Sequence, residues 1–202
     1  MSGTVLLVRH TAVAHRWRGR CYGASDAGLS RAGTADAATL IAGLAAWQPD
    51  AVVHSGMRRA AALGDPIACR LALEPIIDAN WRERDFGDWE ARRWTAIFRA
   101  TGAAMDGMTD APDSFRPGGG ETTGELAARV VAAFGALPAG RTLVVAHGGS
   151  IAAVRGVAAG VPPRDWLALV PGHGEALEVP RNLLLRYAGA PSPTWQSNGA
   201  GA

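Results

Sequence analysis

The sequence contains no lysine: all 20 of its basic residues are arginine. They stand against 18 acidic residues, so the formal net charge is only +2, and they are spread along the chain rather than clustered. A nucleic-acid footprint needs a basic cluster, so we expect no nucleic-acid partner. The planar guanidinium group matches the geometry of phosphate, and single arginines therefore remain candidates for phosphate binding.

Cysteines and long apolar segments are also scarce. Cys21 and Cys69 are too few for a disulfide framework. No stretch approaches the roughly 18–20 apolar residues of a membrane helix, and the first residues lack the features of a secretory signal. The 202 residues suffice for one domain with a substantial core. We therefore expect a cytoplasmic protein without a membrane partner, and a homodimer stays open.

The chain alternates strand-like and helix-like segments. Short apolar runs such as residues 5–8 are typical of strands buried on both faces. The predicted strands are 5–8, 51–54, 74–77 and 143–146, with one or two more within 176–187. The predicted helices run from a cap at residue 30 to about 47, from 57 onward with an interruption or kink at Gly64 and Pro66, and over 91–100, 122–137 and 150–159.

Strands that alternate with helices predict an α/β fold, a three-layer sandwich whose mostly parallel sheet carries helices on both faces. We assign one domain to residues 1–187. Residues 102–120 form the longest stretch predicted to be irregular, which is typical of a lid or a substrate-binding insertion. Residues 188–202 are rich in glycine, alanine, serine and proline, and we expect a flexible tail there.

Polar clusters follow the predicted strands, where ligands bind in open α/β sheets. They are Arg9, His10 and Thr11 after the first strand, His54, Ser55, Arg58 and Arg59 after the second, residues 81–90 after the third, and His147, Gly148 and Gly149 after the fourth. A neutral imidazole is a good nucleophile, arginines neutralise the oxygens of a transferring phosphoryl group, and a carboxylic acid protonates a leaving alkoxide. Such a set requires neither a metal nor a cofactor.

Several motifs occur in a fixed order along the chain. The stretch Leu-Val-Arg-His-Thr at residues 7–11, followed by segments 19–23 and 26–30, resembles the opening of the histidine phosphatase superfamily, which includes the cofactor-dependent phosphoglycerate mutases. Later motifs of the superfamily are similar to residues 55–60, to Glu83 with 86–90, and to 144–149, and its later loop is similar to 117–121. The resemblance covers about residues 4–160.

The resemblance implies a role for each matched residue. It makes His10 the nucleophile, phosphorylated on the ring nitrogen remote from the main chain, and Glu83 the general acid. Chemistry alone leaves Asp85, Asp88 and Glu90 as rival acids, and we expect Glu90 to face solvent or to pair with an arginine. His54 is expected to be structural. The implied phosphate-binding residues are Arg9, Arg59, His147 and Gly148, and His147 is also implied to be catalytic because it stabilises the phosphoryl group during transfer. The expected substrate contacts are Thr11, Cys21, Tyr22 and Gly23.

Thr11 and residues 19–23 are also similar to the alpha-ribazole phosphatases, which act on alpha-ribazole 5'-phosphate in cobalamin synthesis. The sequence thus predicts a phosphomonoesterase for a small organic phosphate, with this compound as a candidate. A phosphoglycerate mutase remains an alternative, although the short segment between Trp94 and Pro117 favours hydrolysis. A non-catalytic phosphate-binding or scaffold protein is the other alternative, against which both histidines and the matching acid weigh. Residues 63–66 and the absence of an asparagine soon after His10 depart from the family pattern.

Overall fold

A computed structural model describes residues 3–184 of the chain. Five strands form one sheet in the order β3-β2-β4-β1-β5. The strands are β1 (Thr4–Arg9), β2 (Ala51–His54), β3 (Ile76–Ile77), β4 (Arg141–Ala146) and β5 (Ala176–Pro180). The first four are parallel to one another, and β5 runs antiparallel to β1 at the edge. The prediction of a mostly parallel sheet is confirmed.

Six α-helices connect and cover the strands. They are α1 (Arg31–Ala46), α2 (Arg58–Arg70), α3 (Trp94–Thr101), α4 (Gly107–Asp110), α5 (Thr123–Ala136) and α6 (Gly148–Ala159). Short 3-10 turns lie at His15–Trp17, Ala79–Trp81, Gly87–Trp89, Gly102–Asp106, Pro117–Gly119 and Pro163–Leu169. Among residues 3–184, none of these helices combines the length and apolar composition that crossing a bilayer would require.

The alternation of side chains along β1 separates two buried cores. Val5 and Leu7 point to the core shared with α5 and α6, whereas Leu6 and Val8 point to the core shared with α1 and α2. Successive residues of a strand face opposite sides of a sheet, so an apolar run buries both faces. The sheet is therefore the middle layer of the predicted three-layer α/β sandwich.

The helix caps follow from local sequence. The Ser30 hydroxyl accepts a hydrogen bond of 2.9 Å from the Gly33 backbone and starts α1 as predicted. Thr122 and Glu125 form a reciprocal capping box at the start of α5, where each side chain accepts from the other's backbone N–H at 3.0 Å. These caps fix the helix starts at or beside the predicted positions.

Tertiary packing overrides the predicted break in α2. The helix is continuous through Pro66, because Leu63 and Ile67 on its inner face are fully buried. A Cβ atom at residue 64 would lie 3.0–3.2 Å from the ring of His54, so Gly64 allows this histidine to pack closely against α2. The expected interruption was wrong.

Other boundaries differ from the predicted ones. The third strand is only two residues long, and the helix predicted from residue 91 begins at Trp94. The segment 102–120 is not irregular throughout, since it contains α4 and two 3-10 turns. One strand, β5, lies in the described part of residues 176–187, whereas the end of that range and the predicted tail 188–202 lie outside the described residues.

Candidate active site

The carboxyl ends of the parallel strands bring the predicted polar clusters together. His10 follows β1, and His147 follows the neighbouring β4. The backbone N–H of His10 donates to the Ala146 carbonyl at 3.1 Å. The two imidazole rings lie 5.1 Å apart between centroids. Adjacent strands in parallel register thus place two histidines, far apart in sequence, side by side.

The hydrogen bond of His10 fixes the tautomer of its ring. Nδ1 lies 2.7 Å from the Thr11 carbonyl oxygen, which can only accept, so the neutral ring carries its proton on Nδ1 and a lone pair on Nε2. Burial lowers the pKa of His10 well below its usual value, and the positive charges of Arg59 and Arg9 act in the same direction. The imidazole is therefore neutral near pH 7, as a nucleophile must be.

His147 is fully buried and bound at both ring nitrogens. Nδ1 accepts from Arg59 Nε at 3.1 Å, and Nε2 lies 2.8 Å from Ser55 Oγ. Because Arg59 can only donate, the neutral ring holds its proton on Nε2 and donates it to Ser55. Burial and the nearby Arg59 charge lower the pKa of His147 well below its usual value. A phosphoryl contact from Nε2 would have to replace the bond to Ser55.

Arg59 is fully buried beneath the site and bound to backbone carbonyls. Nη1 donates to Ser25 at 2.7 Å, and Nη2 donates to Gly23 at 2.7 Å and to Tyr22 at 3.3 Å. Together with the bond to His147, these contacts tie α2 to the loop after the first 3-10 turn. Arg59 thereby positions His147 and residues 22–25.

Glu90 holds the same loop from the other side. Its carboxylate accepts from the backbone N–H groups of Ala24 at 2.8 Å, Ser25 at 3.0 Å and Phe86 at 3.2 Å, and from the Ser25 hydroxyl at 2.5 Å. The expectation that Glu90 faces solvent or pairs with an arginine was wrong. Backbone N–H groups and the Ser25 hydroxyl, rather than a cation, satisfy its charge.

Arg9 lies beside His10 at the end of β1. Nη1 donates to the Pro171 carbonyl at 2.7 Å, whereas the buried Nε has no hydrogen-bond partner among the described residues. A Cβ atom at Gly148 would lie 3.3 Å from the centre of the guanidinium group, so the start of α6 passes closely over it. Among residues 3–184, Pro171 is thus the hydrogen-bond partner of Nη1, and Nε has none.

Glu83 sits at the start of α6. Its Oε2 accepts from the Gly149 N–H at 2.9 Å, and Oε1 accepts from the Arg84 N–H at 3.0 Å. Helix N-termini attract negative charge because their first N–H groups lack partners within the helix. A Cβ atom at residue 149 would come within 2.2 Å of Oε1, so this close approach requires glycine. The helix start therefore fixes the carboxylate near His147.

A cavity of about 410 Å³ opens over this cluster. Its lining includes six of the predicted site residues, together with Arg84 and many apolar side chains. The six are His10, Arg9, Glu83, Tyr22, Gly23 and Gly148. Arg59 and His147 lie beneath it and do not form part of the lining.

Two of the expected substrate contacts do not reach the cavity. The Thr11 hydroxyl donates to the Gly33 carbonyl at 2.7 Å and is buried against α1. Cys21 is fully buried in a small apolar cluster with Trp89 and Ile97. Burial, with the nearby charge of Glu90, raises the pKa of its thiol to about 12, so it is not a reactive thiolate.

Sequence reasoning did not predict the contacts that three residues make at the site. Ser55 was named only as part of a polar cluster and Glu90 only as a rival acid, because their contacts are to a ring nitrogen and to backbone groups. His173 had no motif, yet its ring lies 5.4 Å from that of His10 between centroids, because the Gly174 N–H binds the Arg9 carbonyl at 3.0 Å. Ser55 and Glu90 lie inside matched motifs, which was an available signal, whereas His173 offered none.

Metal ligands do not gather around the site. Within residues 3–184, no group of three or more histidine, cysteine, aspartate or glutamate side chains is arranged to hold an ion. Arginines and backbone N–H groups supply the positive potential around the cavity instead.

Comparisons with known proteins agree with this geometry. A family model described as the histidine phosphatase superfamily (branch 1) matches residues 5–178. The glucosyl-3-phosphoglycerate phosphatase of Mycolicibacterium vanbaalenii is 30% identical over 177 residues, which cover 82% of this chain and 78% of the relative. The protein of the same name from Mycobacterium tuberculosis is 29% identical over 178 residues, with coverages of 82% and 79%.

Solved structures are similar over the same region. The native structure of a mycobacterial glucosyl-3-phosphoglycerate phosphatase matches with a TM-score of 0.74 and 28% identity, over 89% of this chain and 91% of that one. Bacillus stearothermophilus YhfR matches with a TM-score of 0.78 over 87% of this chain and 90% of that one. At 23% identity, this match supports the fold alone. With its fold, its two strand-end histidines and a family match over most of its length, the chain belongs to the histidine phosphatase superfamily and is a phosphatase.

Proposed function

We propose that this phosphatase hydrolyses a small organic phosphomonoester through a phosphohistidine on Nε2 of His10. The observation that carries the proposal is the hydrogen bond from Nδ1 to the Thr11 carbonyl, which leaves the Nε2 lone pair free on a neutral ring. Arg9 and Glu83 line the same cavity and supply a cation and a carboxyl group. Nucleophile, charge stabilisation and acid thus meet at one place.

The reaction proceeds in two steps. Nε2 of His10 attacks phosphorus, the bond from phosphorus to the leaving oxygen breaks, and protonated Glu83 gives its proton to that oxygen. Glu83 then takes a proton from water, the water oxygen attacks phosphorus, and the N–P bond breaks to release phosphate and neutral His10. Each step leaves the carboxyl group ready for the next one.

Four groups are proposed to hold the phosphoryl oxygens. Arg9 has a free donor beside His10, and Gly148 lies at the N-terminus of α6, where backbone N–H groups favour anions. Arg59 and His147 are included on the family pattern, although their observed partners are protein groups. For these two, phosphate binding requires a rearrangement of Ser55 or of residues 22–25.

Two phosphate esters are candidates for the substrate. The curated relatives described above are named for glucosyl-3-phosphoglycerate, which makes it the first substrate to test. Alpha-ribazole 5'-phosphate rests on Thr11 and residues 19–23, and the burial of Thr11 and Cys21 removes two of the contacts expected for it. A mutase would return the phosphoryl group to a sugar acid. No feature of residues 3–184 favours a non-catalytic role.

Trapping the phosphoenzyme tests the mechanism. The enzyme is quenched in acid-free denaturant during turnover of p-nitrophenyl phosphate, and the phosphate is mapped by mass spectrometry. We expect it on His10 and expect His10→Ala to be inactive, whereas His15→Gln, at an exposed histidine, is the matched control. Phosphate on another residue, or full activity of His10→Ala, would refute the mechanism. The same assay with glucosyl-3-phosphoglycerate, alpha-ribazole 5'-phosphate and 3-phosphoglycerate ranks the substrates and detects any mutase product.

A further inference from the structure

Buried polar contacts continue from His147 to residues that do not line the cavity. The Ser55 hydroxyl, which lies 2.8 Å from His147 Nε2, also accepts from the Met57 N–H at 3.3 Å. Gly56, between Ser55 and Met57, has a φ of +76°, a backbone conformation that favours glycine. A tight turn after β2 thus sets the position of the Ser55 hydroxyl.

The side chain of His54 holds this turn. It is buried at the end of β2, and its Nδ1 accepts from the Gly56 N–H at 3.1 Å. Because a backbone N–H can only donate, the neutral ring holds its proton on Nε2. That nitrogen lies 2.9 Å from Oδ1 of Asp65, an exposed carboxylate on α2, although its N–H does not point directly at this oxygen. The negative charge of Asp65 favours the tautomer in which Nδ1 is an acceptor.

Helix α2 accommodates the ring of His54 at a cost in stability. A Cβ atom at residue 64 would lie 3.0–3.2 Å from side-chain atoms of His54, so the ring occupies space that Gly64 leaves open. Glycine inside a helix destabilises it relative to alanine, and a buried imidazole is less favourable than a buried apolar side chain. Packing alone therefore does not explain a histidine at this position, whereas the contacts of its two ring nitrogens do.

We propose that His54, oriented by Asp65, is a positioning residue for His147. It acts through Ser55, because the bond to Nδ1 sets the turn, the turn sets the Ser55 hydroxyl, and the hydroxyl holds the Nε2–H of His147. This inference rests on the proposed function, in which His147 contacts the phosphoryl group. The chain of contacts keeps the proton of His147 on the nitrogen that has to donate to a phosphoryl oxygen.

Loss of this support would misdirect that donor. Nδ1 of His147 stays bound to Arg59 Nε, so a displaced Ser55 hydroxyl leaves only the Nε2 side of the ring without its partner. The ring could then tilt, and its Nε2 proton would exchange with water. A displacement of about 1 Å at a reacting centre can slow the reaction by about 10²-fold.

A double-mutant cycle tests whether His54 acts through Ser55. The variants are His54→Gln, Ser55→Ala and the pair, and kcat/KM is measured for p-nitrophenyl phosphate. Glutamine places its amide near the position of Nε2 and offers no acceptor at Nδ1, whereas His54→Asn places its amide at Nδ1 and can still accept from Gly56. Ile67→Val, a buried change on the same helix, controls for lost stability.

We expect His54→Gln and Ser55→Ala each to lower kcat/KM by about 10- to 100-fold. The pair should lose no more than the larger single loss, because both changes break one chain of contacts. Asp65→Ala should lose about 2- to 10-fold, the range for one polar contact, and His54→Asn should resemble it. Asp36→Ala, which removes an exposed aspartate of α1, should leave kcat/KM unchanged.

A second readout does not depend on activity. In proton–nitrogen NMR spectra of the substrate-free enzyme, we expect His147 to show a protonated Nε2 and an unprotonated Nδ1, assigned by the loss of its signals in His147→Asn. The Nε2 proton should exchange faster with water in His54→Gln and in Ser55→Ala, but not in Ile67→Val. A merely structural role of His54 would not change this exchange rate.

Three results overturn the inference and leave the proposed function intact. They are single losses that multiply in the pair, a kcat/KM of His54→Gln no lower than that of Ile67→Val, and an unchanged exchange rate of the His147 proton. If His54→Gln does not fold, a kcat/KM of Asp65→Ala equal to that of Asp36→Ala overturns the inference as well. A wild type without activity, or without a phosphohistidine on His10, would instead refute the proposed function.

Discussion

Glu90→Gln is the substitution that best probes how the site is held together. The change keeps the size of the side chain and replaces one carboxylate oxygen by an amide NH2. Oε1 accepts from Ala24 and Phe86, and Oε2 accepts from the N–H and the hydroxyl of Ser25. In the better orientation the NH2 replaces Oε2, and the Ser25 hydroxyl turns to accept from it. The Ser25 backbone N–H is then left facing a donor.

The magnitude follows from this count. One unsatisfied donor costs about 1–3 kcal/mol, and losing the charge of the acceptor weakens the remaining bonds. We expect a decrease of about 2–3 kcal/mol in the free energy of unfolding, with about 2–4 °C in Tm for each kcal/mol. Because Gly23 and Ser25 hold Arg59, kcat/KM should fall by about 10- to 100-fold, as expected for a displacement near 1 Å at the site.

The assay combines urea unfolding with kcat/KM for p-nitrophenyl phosphate, measured well below Tm so that the folded fraction is constant. Glu74→Gln is the matched control, because Glu74 is exposed and its substitution removes the same charge. The reasoning is refuted if Glu90→Gln resembles Glu74→Gln in both stability and kcat/KM. A loss of stability with unchanged kcat/KM would refute the link from the loop to the site.

Three further predictions concern the chemistry directly. Glu83→Gln should slow the hydrolysis of alkyl phosphates by about 10²–10⁴-fold. The hydrolysis of p-nitrophenyl phosphate should slow far less, since nitrophenolate barely needs a proton to leave. Equal losses on both esters would move the acid role to Asp85. Activity should survive exhaustive chelation, because arginines and backbone donors supply the charge, and rescue by added Mg²⁺ or Zn²⁺ would contradict this. Burial lowers the pKa of His10 and His147. Below pH 6.5 these two histidines therefore bind protons in the unfolded chain but not in the folded protein, so the free energy of unfolding decreases as the pH falls. The unfolding free energy should change by at most about 1.4 kcal/mol per pH unit for each histidine. Urea unfolding between pH 6.5 and 5.5 measures this change. If His10→Asn shows the same pH dependence as the wild type, His10 does not contribute to it.

Much of the fold could be predicted because its signals are local. Apolar runs marked the central strands, and Ser30 and Thr122 marked two helix starts through side chains that bind the next turn. The strand-end positions of His10 and His147 then followed from parallel pairing. The break expected at Pro66 failed because burial of the flanking leucine and isoleucine outweighs the hydrogen bond lost at a proline.

The remaining site contacts could not be predicted from residue types. Glu90 binds backbone N–H groups, which every residue except proline carries, so no sequence pattern marks its partners. Thr11 and Cys21 belong to the motif-bearing segments, but their side chains turn into the core, and a one-dimensional motif does not state direction.

Arg59 shows why contact and charge have to be considered together at this site. Its guanidinium group is occupied by bonds to His147 and to the loop, so positioning is its observed role. Its positive charge also lowers the pKa of both His10 and His147. A cation that disfavours imidazolium keeps a neighbouring imidazole neutral and also stabilises the negative charge of a phosphoryl group. In the mechanism that we propose, the field of Arg59 therefore assists the reaction even while its own hydrogen bonds remain within the protein.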